Sequence, residues 1–113
     1  MQIHYLEIVT QNVDAVCAAY EKSTGAQFCA PEELLGNARV ADIAGGRIGI
    51  RAPMHETETP VVRPYFLVDD VENTLENVVK TGGEIIHAPL EIPGFGKFAI
   101  YVQGGNQLGV WEL

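Results

Sequence analysis

Apolar positions along the chain switch between a period of two and a helical period, and the switches divide it into elements. Alternation over Ile3 to Val9 predicts a strand. Val13, Val16, Cys17 and Tyr20 then recur at helical spacing, with Asn12 placed to accept hydrogen bonds from the first N–H groups and Gly25 placed as a left-handed stop. Shorter strands are expected around Gln27 to Cys29, Ala38 to Ile43 and Arg47 to Arg51. The same order then repeats. A strand from Val62 to Val68 precedes a helix capped by Asp70, with Val71, Leu75, Val78 and Val79 as its apolar stripe and Gly82 as its stop. Strands follow at Glu84 to His87, Lys97 to Val102 and Gln107 to Leu113. Gly45-Gly46 and Gly104-Gly105 precede the last strand of each half and supply the positive φ angles of a tight hairpin.

The two halves also match in register. Asn12-Val13-Asp14 recurs as Asp70-Val71-Glu72, and Ile48-Gly49-Ile50 recurs as Leu108-Gly109-Val110, at a nearly constant offset of about 58 residues. This is an internal duplication of a βαβββ unit, which makes the chain α+β. The expected organisation is one domain over 1–113, with module one at 1–52, a linker at 53–60 and module two at 61–113. The linker is polar and bounded by prolines, so it is expected only to connect, with its acids Glu56 and Glu58 solvated.

Composition narrows the function classes. The 113 residues are 47% hydrophobic and 19% charged, enough for one modest core and unlike a disordered tract. A net charge of −8 without any Lys or Arg run argues against nucleic acid as a partner. No stretch approaches the roughly 20 apolar residues of a membrane span, and the N-terminus carries no signal-peptide pattern, so a cytoplasmic location is expected. Cys17 and Cys29 lack metal or redox spacing and read as reduced small hydrophobes, with Cys17 in the core.

Strand parity separates two faces. Even positions (Leu6, Ile8; Ile48, Ile50; Phe66, Val68; Phe98, Ile100; Leu108, Val110) are aliphatic or aromatic and should carry the helices. Odd positions give Tyr5, Glu7; Arg47, Gly49, Arg51; Arg63, Tyr65; Tyr101; Gln107, Gly109, Trp111. Aromatics, an acid and several arginines, with glycines making room, read as the lining of a cavity. The alternative is a face open to water with ordinary cross-strand ion pairs.

Two βαβββ modules, the first strand His4-Tyr-Leu-Glu-Ile-Val and the closing Gly105-Asn-Gln-Leu-Gly-Val-Trp-Glu resemble the glyoxalase/bleomycin resistance/dioxygenase superfamily, also called vicinal oxygen chelate proteins. The resemblance covers the whole chain and implies a curved mixed sheet forming a cup, helices on its convex face, and frequent dimerisation. It leaves function open, because the scaffold serves lyases, isomerases, dioxygenases and drug-sequestering proteins. Metal-dependent members carry four His, Gln or Glu ligands in the first and last strands of each module. Those positions fall on Tyr5, Gly49, Arg63 and Gly109, which offer no suitable donor, so no metal and no other cofactor is expected. A register slip of one would bring His4 to the first ligand position, but it would also turn Leu6 and Ile8 into the cup. His55 and His87 read as surface or edge histidines.

The resulting expectation is a small-molecule-binding homodimer whose cup is lined by Tyr5, Glu7, Arg51, Arg63, Tyr65 and Trp111, taking an aromatic or anionic organic ligand. Two alternatives stand beside it. One is a glyoxalase-type lyase or dioxygenase-like enzyme with a non-standard site, either a metal bound by a non-standard set of ligands or Glu7 as the catalytic proton shuttle; the other is a structural dimer module with an empty cup. Glu7 is held ionised if it meets an arginine and becomes a general acid or base if it lies among Tyr65 and Trp111 without a partner. The loop Pro93 to Gly96 is either a cover for the cup or a hairpin turn.

Overall fold

Strand β1 (Gln2–Val9) runs into helix α1 (Val13–Thr24). In the computed structural model, which covers residues 1–113, there follow a single 3-10 turn (Glu33–Leu35), strands β2 (Arg39–Ile43), β3 (Gly46–Arg51) and β4 (Val61–Leu67), helix α2 (Val71–Lys80), and strands β5 (Glu84–Ile92), β6 (Gly96–Gln103) and β7 (Asn106–Glu112). The strands pair in both parallel and antiparallel senses, so the α+β class holds. The chain divides into two units, Tyr5–Val62 and Arg63–Leu113 together with Met1–His4. No helix is long and apolar enough to cross a membrane.

In the Tyr5–Val62 unit, β3 lies between β2, to which it is antiparallel, and β1, to which it is parallel. Parity works here: Ile8, Ile48 and Ile50 join Cys17 of α1 and Ala41 in the core. Tyr20 leaves the predicted stripe and is exposed. Gly25 ends α1 with a φ of 76°, as its missing side chain allows. Asn12 does not cap it, since its side chain bonds to no helix N–H; its own backbone N–H donates to Thr10 Oγ1 at 3.1 Å.

The strand expected at Gln27 to Cys29 does not form. Only the Cys29 N–H reaches Val40 O, at 2.9 Å, and one isolated bridge joins Glu32 to Ala38. Pro31 removes a donor, and the Glu32 carboxylate accepts the Leu34 N–H, which favours a turn over a ladder. The hairpin from β2 to β3 needs a positive φ only at Gly45; Gly46 is already the first residue of β3.

In the other unit the strand order is β4-β7-β6-β5, with β4 and β7 parallel and the remaining pairs antiparallel. Asp70 caps α2 as expected, accepting the Asn73 N–H at 3.0 Å. Val71, Leu75 and Val78 pack on Ala99, Tyr101 and Val110, while Val79 is exposed. Gly104 and Gly105, both at positive φ, form the two-residue turn between β6 and β7.

The parity rule fails in β6. Antiparallel partners share a face, and the observed register pairs Ala99 with Val110 and Phe98 with Trp111. An even position thus faces an odd one, which inverts β6 relative to β7. Tyr101 therefore belongs to the core under α2, and Phe98 stands on the mixed face, the reverse of the expectation. Strand β5 is also longer than expected, because two register shifts, on either side of His87, carry it past Pro89, which cannot donate to the ladder.

Candidate functional site

Within the Tyr5–Val62 unit the site is built on the parallel pairing of β1 and β3, which sets Glu7 opposite Gly49 and Val9 opposite Arg51. Glycine leaves an open place on the sheet, and the Tyr5 phenol fills it; any side chain at Gly49 would strike the Tyr5 hydroxyl. Arg51 reaches along the same face and donates from Nε to Glu7 Oε2 at 2.8 Å. Its two terminal nitrogens donate to Glu58 at 2.9 and 2.7 Å, and Glu58 Oε1 also accepts the Met54 N–H at 2.7 Å. Arg51 and Glu7 are only 4% and 8% exposed, so this triad is a buried ionic network.

The bidentate Arg51 hydrogen bonds hold the Glu58 carboxyl at about 2, and the same bonds push the Arg51 guanidinium further up. Burial, followed by the neighbouring Glu7 carboxylate, pushes the Tyr5 phenol well above its ordinary value. Glu7 has an arginine partner, which is the first of the two arrangements the sequence left open. Glu58 overturns the expectation of a solvated charge in a purely connecting segment: its side chain is docked, and it anchors residues 53–60 to β3.

The Arg63–Leu113 unit, with Met1–His4, carries the other three predicted residues. Arg63 donates to the amide oxygen of Gln107 from Nη2 at 2.5 Å and from Nε at 3.2 Å, and Nη1 lies 3.5 Å from the Tyr65 hydroxyl. Tyr65 is opposite Gly109, and its ring covers that glycine so closely that a side chain there would meet the Cγ end of the ring. Trp111 donates its indole N–H to Phe95 O at 2.8 Å. That bond, together with the Phe95 N–H to Ile92 O bond, identifies Pro93 to Gly96 as a hairpin turn whose backbone fixes the indole.

Tyr65 and Trp111 belong to a five-ring array. Tyr65 meets Trp111 edge-on at 5.7 Å, Phe98 lies 6.0 Å from each of them, His4 lies 5.5 Å from Trp111, and His87 stacks on Phe98 at 4.9 Å.

All six predicted residues are buried, whereas Arg47 and Gln107 of the same odd-numbered set are exposed. Three lie in each unit. Sequence reasoning missed Glu58, Phe98 and His87. A signal for Glu58 was present, since an acid bounded by two prolines is held near the chain's own arginine, but nothing in the pattern specified which acid. A depression of about 340 Å³ lined by Gln11, Pro53, His55, Glu56 and Glu58 borders none of the six.

Of Tyr5, Gly49, Arg63 and Gly109, the four positions expected from the resemblance to correspond to metal ligands, the two glycines are each covered by a tyrosine. The only cluster of three acidic groups is elsewhere, at Asp70, Glu72 and Glu112. The Lys97 ammonium already stands among them, 2.9 Å from Glu72 and 3.8 Å from Glu112, holding the Glu72 carboxyl below its usual range.

No family model matches the sequence. Among curated proteins, the chain is 31% identical over 97 residues to CFP32 of Mycobacterium tuberculosis, a protein named as a glyoxylase, and 26% identical over 84 residues to the anthracycline biosynthesis protein DnrV of Streptomyces peucetius. Those alignments take in 83% and 59% of this chain. The chain spans about a third of the length of these relatives, 37% of CFP32 and 30% of DnrV. Among solved structures, methylmalonyl-CoA epimerase of M. tuberculosis superposes with a TM-score of 0.76 at 14% identity, over 98% of this chain and 87% of that one. The Streptomyces coelicolor epimerase in complex with 2-nitronate-propionyl-CoA gives 0.69 at 16% identity, over 97% and 95%. At such identities the superpositions speak for the fold, and the sequence relatives speak for descent. By its sequence relatives the chain belongs to the glyoxalase/bleomycin resistance/dioxygenase superfamily, and the superpositions agree in fold.

Proposed function

We propose that the chain is a metal-independent small-molecule-binding protein, acting as a cytoplasmic homodimer, whose ligand is a flat or anionic organic compound. The observation that carries this reading is the pair of buried arginines, Arg51 and Arg63, on faces that also hold Tyr5, Tyr65 and Trp111. Burying a guanidinium costs several kcal/mol before any partner is counted; Glu7 and Glu58 offset that cost for Arg51, whereas the side chain of Arg63 bonds to the neutral Gln107 and Tyr65, which supports charge recognition at Arg63. Arg63, hydrogen-bonded to the neutral Gln107 amide, supplies the cationic contact, and Trp111 and Tyr65 the aromatic ones, while Arg51, already neutralised by Glu7 and Glu58, orders its end of the face. Tyr5 and Glu7 hold the Arg51 end in place.

The absence of a metal follows from the residue types. A guanidinium repels a cation, glycine has no donor, and the Tyr5 phenol resists the deprotonation that would make it a ligand. The unpaired thiols Cys17 and Cys29 agree with a reducing compartment.

An enzymatic reading draws support from the name of one relative, CFP32, and would give Glu7 the role of proton shuttle. Glu7 is engaged by Arg51, so that role requires the ligand to loosen the 2.8 Å contact.

Trp111 is the only tryptophan, so its indole N–H gives a single NMR resonance. Titration with 2-naphthoate should shift it saturably, and R63Q should weaken binding about tenfold or more. A flat response to 2-naphthoate and to uncharged aromatics would favour a structural module instead, and one metal ion per purified chain would favour the enzyme.

A further inference from the structure

We infer that His87 is a ligand-contacting residue, the hydrogen-bond acceptor at the end of an aromatic shelf that takes a planar compound bearing an O–H or N–H donor on its rim. The inference deepens the small-molecule-binding reading and rests on it.

Three independent features of His87 converge. First, it is the residue on which the irregularity of β5 is centred: the register shifts between Ile85 and His87 and again between His87 and Leu90. A bulge re-aims a side chain, and two of them around one residue free its direction from the pleat. Second, the ring so aimed is stacked on Phe98, at 4.9 Å and 29° between planes. Phe98 touches Tyr65 and Trp111 in turn, so the imidazole continues the row of rings on the mixed face. Third, its Nδ1 lies 2.7 Å from the carbonyl oxygen of Ala88. A carbonyl can only accept, so Nδ1 carries the hydrogen, and in the neutral ring Nε2 is then the bare acceptor.

Tyr65 and Trp111 are buried, whereas Phe98 and His87 are half-exposed. The array has two partly exposed ends, His4 beside Trp111 and His87 beside Phe98; the added flat ring takes the His87 end, where the 29° stacking on Phe98 lets the row continue. A compound stacked there presents its rim to Nε2, and a phenolic O–H or a ring N–H completes the hydrogen bond. A methyl ether in the same place cannot donate and leaves Nε2 unpaired.

The test uses the full chain and two probes that differ only in the donor, 2-naphthol and 2-methoxynaphthalene, followed through the Trp111 indole N–H and the 15N shift of His87 Nε2. We expect 2-naphthol to bind roughly three- to tenfold more tightly and to move the Nε2 resonance. In H87F, which keeps a stacking ring but has no acceptor, the preference should vanish, so that the two probes bind with equal affinity whatever their absolute values. H87Q, which restores an acceptor, should recover part of the preference. Equal affinity of the two probes for the wild-type chain, or a preference that survives in H87F, overturns the assignment of His87 and leaves the binding reading standing. If neither probe moves either resonance, the binding reading falls and takes this inference with it.

Discussion

Glu58 grips the Arg51 guanidinium by both terminal nitrogens, at 2.9 and 2.7 Å, while Glu7 holds the Nε edge of the same group at 2.8 Å. The cation at the end of β3 is thus shared by a residue of β1 and by the segment that follows β3, which makes residues 53–60 part of the folded unit. Replacing Glu58 by Gln should cost about 2–4 kcal/mol in urea unfolding at neutral pH, since one partner of a buried pair is lost. The pH dependence has a definite sign. The Glu58 carboxyl is held at about 2 in the folded chain against an ordinary value of 4.5, so its contribution is complete above 4.5 and fades as the pH falls toward 2. The stability gap between wild type and E58Q should close over that interval.

The two glycines under the tyrosines differ in how much they can give. A methyl group at Gly109 would meet the Cγ side of the Tyr65 ring, which cannot withdraw, whereas at Gly49 it would meet the Tyr5 hydroxyl end, which can. G109A should therefore destabilise by about 1–3 kcal/mol and G49A by less. In a Y65A background the cost of G109A should largely disappear, a result that chemical denaturation of the four variants would read as a coupling energy.

Helix capping offers a contrast between the two modules. Asp70 accepts the Asn73 N–H at 3.0 Å, while the equivalent Asn12 makes no such bond. Thermal unfolding should show D70A losing about 1 kcal/mol and N12A only a few tenths.

Much of this was legible in the sequence. The duplication, the two helices, the turn glycines Gly25, Gly104 and Gly105, and the placing of Tyr5, Glu7, Arg51, Arg63, Tyr65 and Trp111 in strands all follow from period and residue type. What was not legible depends on register. Parity assigns a residue to a face only along one strand, and the pairing of Phe98 with Trp111 is a property of two strands and the turn between them. Tyr101 and Phe98 exchanged faces for that reason. His87 was hidden because a bulge has no periodic signature, and Glu58, seven residues beyond Arg51, because nothing in the pattern distinguishes it from Glu56.

Tyr5 gives an alkaline signature. Burial and Glu7 push its phenol above the ordinary 10.0, so folding is favoured below that pH and loses the contribution as the pH rises beyond it. Absorbance at the phenolate wavelength should show no Tyr5 ionisation in the folded chain at pH 11, judged against Y5F, and its appearance should coincide with alkaline unfolding.

The central claim is that this scaffold binds an organic ligand without a metal ion, and calorimetric titration of the chain with 2-naphthoate in excess chelator tests it most directly. Saturable heat that is the same with and without chelator is the predicted result. Heat that disappears with the chelator and returns on adding zinc, nickel or manganese would contradict the account.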